Sequence, residues 1–373
     1  MPSSEADFSG EPSANVFQRH RVLTLVLINV ALITPVVIGG LYIKHSNRSP
    51  SRKIRTQVTP YHHGIIPNSS AVGTFGPNRY LMHSNSLGFV DASERQVPLQ
   101  TDKHRVLFLG DSFTEGLGLP WEETFVGRVA QALAPQDIEV LNAGVSSYSP
   151  IIYWRKLKYL LEEVGLQVSE VVVFIDISDA QDEAEVYDLD ARGFVVRRNS
   201  ASQNQDSSQK AQSSLLKEAY LDPTGAILPS DNDDKATSER YRINVTRGLW
   251  TVREDLFEQY GKVGLERMAK YMSDLHGLAR KHGLPLTIAV YPWPDQVRSK
   301  DLNSIQARFW RTWAENHDVA FINYFPHVMD GDQDSWRTTI PRLFIRGSVH
   351  WNAAGHALIA EVFLQHYRNT RRH

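Results

Sequence analysis

The sequence predicts an α/β protein: a three-layer sandwich on a mainly parallel five-stranded sheet, preceded by an N-terminal transmembrane helix. Three observations carry that expectation. Five short apolar runs recur along the chain, at 105–110 (RVLFLG), 138–144 (IEVLNAG), 170–176 (EVVVFID), 285–292 (PLTIAVYP) and 319–325 (VAFINYF). Segments of helical periodicity alternate with them. A run such as 170–176, apolar on both faces, suits a parallel strand covered by helices on both sides. The third observation is the uncharged run 22–43 (VLTLVLINVALITPVVIGGLYI), which has about the 20 residues that a bilayer core requires.

The helices follow from spacing. Phe125, Val129 and Leu133 recur behind the first strand, and a second helix is expected around 152–163. A long amphipathic helix near 252–282 carries Leu256, Tyr260, Val263, Met268, Met272 and Leu275 on one stripe, and another helix is expected near 302–316. The last helix turns Leu358, Ile359, Val362 and Phe363 to a core, with Asn352 placed to cap its N-terminus. Between 182 and 247 an insertion interrupts the alternation, and its centre, 199–214 (NSASQNQDSSQKAQSS), is too polar to bury anything. Disorder is expected around 198–214. The organisation is therefore a polar cytoplasmic tail at 1–21, the helix at 22–43, a basic stem rich in Pro, Ser and Asn at 44–79, and one domain over 80–370. No internal repeat is visible.

Composition narrows the function classes. With 40 basic against 42 acidic residues in 373, the chain is an ordinary globular protein rather than a nucleic-acid binder. The absence of cysteine excludes disulfides, thiolate nucleophiles and thiolate metal sites but says little about compartment. For the run 22–43, a cleaved signal peptide and a buried core helix are the alternatives. A signal peptide's apolar region is about 7–15 residues and ends at a small-residue cleavage site. Here the run is longer and is followed by KHSNR at 44–48, so an uncleaved anchor is expected. Arg19 and Arg21 precede it, whereas Lys44, Arg48, Arg52, Lys53 and Arg55 follow. Taken alone, those charges place the large domain in the cytoplasm.

In an open parallel sheet, ligands bind beyond the carboxyl ends of the strands. Here the first strand ends in Gly110, Asp111 and Ser112, the second in Asn142, Ala143 and Gly144, and the third in Asp176, Ile177, Ser178 and Asp179, while His350 arrives just before the last helix. A serine at a strand-to-helix turn exposes its hydroxyl where backbone N–H groups point at whatever it attacks. Gly144 lacks a side chain and so brings its N–H close to a developing oxyanion. Serine, donors and base would share one rim.

These blocks, LFLGDSFTEGLGLP, NAGVSSYSP, FIDISD and GSVHWNAAGH, together resemble the SGNH/GDSL hydrolases over about residues 80–370. HSNSLGF (83–89) and the HWN around His350 resemble the membrane-tethered bacterial members related to alginate and cell-wall O-acetyltransferases. The resemblance implies a flavodoxin-like SGNH fold, with Ser112 as nucleophile, the Ser112 and Gly144 amides in the oxyanion hole, and His350 as general base. Two positions depart from the pattern. Ser178 stands where the family has an oxyanion-hole Asn, and Gly347 and Ser348 stand where it has the acid that orients the histidine. In this reading the Ser178 hydroxyl is the replacement donor, and a backbone carbonyl holds the imidazole's other nitrogen. Asp179, also acidic in the family's third block, is a supporting residue of unassigned role, and Asp111 is expected to stabilise the turn. The resemblance further places the domain on the extracytoplasmic, periplasmic side, against the flanking charges, and the expectation follows the resemblance.

Plainer readings stand beside these. Ser112 is also a suitable helix cap, His350 a rim or capping histidine, and His356 a core or surface histidine. His62, His63 and the acidic residues Asp176, Asp179, Asp182 and Glu183 match no metal-cage spacing, and Gly116 and Gly118 form no nucleotide motif, so no metal or cofactor is expected. Tyr148, Tyr153, Trp154, Tyr291, Trp293 and Trp351 fall near strand ends, where rings line a sugar or acyl pocket or simply pack the core. The expected function is a serine esterase or O-acyltransferase acting on ester groups, O-acetyl above all, of a polysaccharide or related substrate. The alternative is a catalytically weak or inactive SGNH-like protein that binds glycan or acts as a scaffold. Oligomeric state is not legible.

Overall fold

The computed structural model describes residues 55–57, 60–198, 245–329 and 336–371, all within the unit Pro50–His373. The chain enters through two short antiparallel strands, β1 (Arg55–Gln57) and β2 (His63–Ile65). β3 (Ser69–Phe75) and β4 (Asn78–Ser84) then form a hairpin whose turn is Gly76–Pro77, with Gly76 at φ 55°, the positive value a primed two-residue turn requires. β5 (Val90–Asp91) pairs with β4 and, through Val90 and Asn142, with β7.

The five apolar runs form β6 (His104–Leu109), β7 (Ile138–Asn142), β8 (Glu170–Ile175), β11 (Leu286–Val290) and β12 (Ala320–Asn323), all parallel. Between β8 and β11 a small separate hairpin pairs β9 (Tyr187–Leu189) with β10 (Val195–Arg197). The main sheet runs β12-β11-β8-β6-β7-β5-β4-β3. It has eight strands, not the expected five: the parallel five are as expected, and β5, β4 and β3 extend them antiparallel beyond β7. The extension was hidden because small or isolated residues carry its buried face. Ala71 and Gly73 alternate in β3, opposite Met82 and Tyr80 in β4. A Cβ on Gly73 would lie 2.6 Å from the Tyr80 ring, so glycine there is what lets the ring lie flat across the hairpin. Residues expected as stem, including all of 69–79, are therefore part of the fold.

Helices cover both faces. α1 (Ser112–Glu115) is a single turn; α2 (Phe125–Leu133) and α6 (Ala353–Thr370) pack together, and α3 (Pro150–Lys158) packs against α4 (Lys262–Lys281). α5 (Ile305–His317) packs on β11 and β12. Thr124 caps α2 by accepting from Gly127 N (3.1 Å), and Asn352 caps α6, as expected, by accepting from Ala354 N and Gly355 N (3.0 Å each). The long helix expected over 252–282 is regular only across α4. Val263, expected on its apolar stripe, is 47% exposed, while Leu265, Tyr271 and Leu278 join Met268, Met272 and Leu275 in the core. Gly264 allows the approach: a Cβ there would lie 2.1 Å from the Ala180 carbonyl oxygen.

The insertion is ordered at its start. Residues 182–186 form a π-helical turn, and the β9–β10 hairpin buries Tyr187 and Val195. The remainder of the expected disordered stretch, and the expected transmembrane run 22–43, lie outside the described residues. Among the described residues no helix is long and apolar enough to cross a membrane.

Candidate active site

In order of appearance the parallel strands are arranged 2-1-3-4-5, so the reversal of direction falls between β6 and β8. That crevice is where such sheets place ligands. β6 delivers Gly110, Asp111 and Ser112 to it. A Cβ on Gly110 would lie 2.1 Å from Thr114 Oγ1 and 3.2 Å from the Phe174 carbonyl, so only glycine lets α1 turn this tightly against β8. Asp111 caps α1, its Oδ1 accepting from Phe113 N (2.9 Å) and from Tyr291 OH (3.3 Å).

His350 comes from a tight loop before α6. Phe344 and Trp351 form an isolated antiparallel bridge, Ile345 N donates to the His350 carbonyl (2.8 Å), and Asn352 N donates to the Leu343 carbonyl (2.9 Å). The imidazole is stacked on Phe113 (4.7 Å between centroids, 21°) and touched edge-on by Phe75 (4.8 Å, 80°), the last residue of β3. Its Nε2 lies 2.8 Å from Ser112 Oγ. The sequence-predicted pair is thus brought into hydrogen-bond contact. At Nδ1 the partner is Ser348 Oγ, 3.0 Å away, which also accepts from His350 N (3.2 Å). Burial lowers the His350 pKa to about 4, with Glu115 partly opposing. The ring is therefore neutral at pH 7, as a general base must be.

Several solved structures resemble the chain at low identity. One is a lipolytic protein of the G-D-S-L family from Desulfitobacterium hafniense (14% identity, TM-score 0.39, covering 70% of this chain and 98% of that one). Another is a psychrotrophic esterase from Pseudoalteromonas sp. (15%, TM-score 0.40, 73% and 100%). A third is a catalytic mutant of an acetylxylan esterase from Geobacillus stearothermophilus (12%, TM-score 0.37, 72% and 95%). No family profile and no curated protein sequence matches the chain. With identities and TM-scores this low, the chemistry has to be read from the site itself.

Gly144 lies where β7 gives way to the loop that faces α1. A Cβ there would sit 2.7 Å from Thr114 Cβ and 3.0 Å from Glu115 N, so the loop's approach to α1 requires glycine. The Gly144 N–H donates to Asn142 Oδ1 (3.1 Å), while Asn142 Nδ2 donates to the Thr114 carbonyl (2.7 Å), tying the loop to the nucleophile's turn. Two buried charged residues hold this loop, and the sequence reading missed both. Glu115 accepts from Ser146 N (2.7 Å) and Ser146 Oγ (2.8 Å). Lys156, on α3, donates to the Ala143 carbonyl (2.8 Å) and to Tyr148 OH (3.2 Å), within 5.4 Å of the ring centres of Tyr148, Phe89 and Tyr61. Lys156 reads in sequence as an ordinary helix-surface lysine; its only signal is that its neighbours Ile151, Ile152 and Leu157 are apolar.

The third block lies deeper than expected. Ser178 Oγ donates to Asp176 Oδ1 (2.5 Å), which also accepts from Ser178 N (2.7 Å), and Trp293 Nε1 donates to Asp176 Oδ2 (2.8 Å). The hydroxyl expected to complete an oxyanion hole is thus engaged by a carboxyl. Asp179 Oδ2 accepts from Tyr153 OH (3.0 Å) and Asp176 N (3.2 Å), so Asp179 does not take the place of an acid on His350. Burial, with Asp176 and Asp111 nearby, pushes Asp179 well above the usual carboxyl range. Burial and then Asp176 do the same to Asp111. Asp111 Oδ2 lies 3.0 Å from Ser112 Oγ. Ser112 Oγ donates to this oxygen.

Among the described residues no His, Asp and Glu side chains converge as a metal cage. Asp182 pairs with Arg247, and His62 Nδ1 meets His63 Nδ1 at 2.7 Å while His63 Nε2 bonds the Ser146 carbonyl (2.9 Å). Of the rim aromatics, Tyr148, Tyr153, Tyr291, Trp293 and Trp351 are buried core rings, and Trp154 is half-buried against Tyr271. His356, for which core and surface were both open, is buried and accepts from Phe125 N (3.0 Å).

Proposed function

We propose that the protein is a serine esterase or O-acyltransferase of the SGNH type. The observation that carries this is the 2.8 Å contact between Ser112 Oγ and His350 Nε2 at the crevice of the parallel sheet. Ser112 Oγ attacks the ester carbonyl as its proton passes to His350 Nε2. The negative oxygen that develops is met by the N–H of Ser112 and by the N–H of Gly144, which turns to it from Asn142 Oδ1. His350 returns the proton to the departing alkoxide, leaving the acyl group on Ser112. Water or an acceptor hydroxyl then attacks the acyl carbonyl, giving its proton to His350, which passes it back to Ser112 Oγ as the C–O bond to serine breaks. The same acyl-enzyme serves hydrolysis and transfer.

The substrate we propose is an O-acetyl or similar ester on a polysaccharide, and the support is the resemblance of 83–89 and 347–356 to membrane-tethered members that modify such polymers. The run 22–43 anchors the protein in this reading, with the catalytic domain on the periplasmic side. A reporter fused after His373 that is active only in the cytoplasm would reverse the orientation. For the chemistry, the full-length protein is treated with a fluorophosphonate beside a Ser112→Ala variant. Labelling of the parent and not of the variant is expected. A folded parent that takes up no label at Ser112 would instead favour the non-catalytic glycan-binding reading, whose support is that no carboxylate among the described residues bonds His350 and that the Ser178 hydroxyl is engaged.

A further inference from the structure

Catalytic histidines need their far nitrogen held, and in serine proteases crippling the acid that does so costs about 10⁴ in rate. Among the described residues no carboxylate bonds His350. Glu115, the acid whose charge acts on it, is committed to Ser146 N and Oγ; Asp111 reaches it only through Ser112; and His356, on the far side, bonds Phe125 N. What meets Nδ1 is a hydroxyl.

We propose that Ser348 is the positioning residue of His350, taking over the orienting part of the triad acid's work with a neutral acceptor. The inference rests on the reading of Ser112 and His350 as nucleophile and base. A hydroxyl has two lone pairs and one proton. Ser348 Oγ spends one lone pair on His350 N (3.2 Å) and offers the other to the ring's Nδ1–H (3.0 Å). That places the proton on Nδ1 and leaves the Nε2 lone pair facing Ser112. Phe113 and Phe75 fix the plane of the ring, and Ser348 fixes its rotation within that plane. Gly347, at φ 71°, supplies the left-handed turn that folds Ser348 back beneath the imidazole. The hydroxyl orients but brings no negative charge to the imidazolium formed during attack.

The experiment compares full-length parent, Ser348→Ala, Ser348→Thr and Ser348→Asp for turnover of p-nitrophenyl acetate between pH 4 and 9 and for fluorophosphonate labelling of Ser112. Loss of the hydroxyl is expected to lower kcat roughly 10–100-fold, less than the roughly 10²–10⁴ a general base contributes because the base itself remains, with KM little changed. Threonine restores the rate because it restores the hydroxyl. Aspartate raises kcat above the parent and moves the acid limb of the profile to higher pH, since a carboxylate beside the ring favours its protonated form. A Ser348→Ala protein that labels and turns over like the parent, or a Ser348→Asp protein with an unmoved acid limb, overturns the assignment while leaving the serine mechanism intact. Absence of Ser112 labelling in every variant, parent included, removes the mechanism on which it rests.

Discussion

Lys156 Nζ lies 2.8 Å from the Ala143 carbonyl oxygen, and the N–H of that same peptide unit, on Gly144, donates to Asn142 Oδ1 (3.1 Å). Burial lowers the lysine's pKa to about 7 from an ordinary 10.5, with Glu115 partly opposing. The unfolded chain therefore holds more protons than the folded one between about pH 7 and 10, and this group's contribution to stability rises with pH across that window. Thermal melts at pH 6, 7.5 and 9 are expected to show the parent gaining on Lys156→Met as pH rises. A constant difference would show that the ammonium is not desolvated as described.

The acid limb of kcat/KM reports the free enzyme's base. Because burial holds His350 near 4, neutral imidazole persists well below the ordinary histidine range, and p-nitrophenyl acetate turnover is expected to survive to about pH 5. A limb centred near 6.5 would mean that the imidazole is hydrated or paired with a negative charge.

Burial and Asp176 push the Asp111 pKa up, so Asp111→Asn, which keeps the cap on Phe113 N, is expected to retain activity within about tenfold of the parent. Asp111→Ala loses the cap and is expected to cost about 1–2 kcal/mol of stability. Urea midpoints and turnover, measured on both variants, separate the two effects.

Ser178→Ala removes a hydroxyl that is bonded to Asp176 rather than held free for an oxyanion. Its kcat is expected to change by less than the roughly 10²–10³ that deletion of an oxyanion donor costs. A drop of that size would mean that the hydroxyl turns to the substrate during the reaction.

The parallel strands were legible because each is a continuous apolar run, a pattern that a doubly covered strand imposes on sequence. The antiparallel extension was not, because Ala71 and Gly73 mark its buried face without looking hydrophobic. Ser112 and His350 were legible through the order of the blocks, since each follows or precedes an element that periodicity alone identifies. Ser348 and Lys156 were not. A serine two residues before a histidine and a lysine in the last turn of a helix each have many ordinary uses, and only the folded loop shows which group they meet. Ser178 was misplaced for a related reason: Asp176, two positions earlier, competes for its hydroxyl.

The contact between Ser112 and His350 joins positions 238 apart in the chain. In the proposed mechanism a partly synthesised chain therefore carries its serine without its base until the loop before α6 has docked.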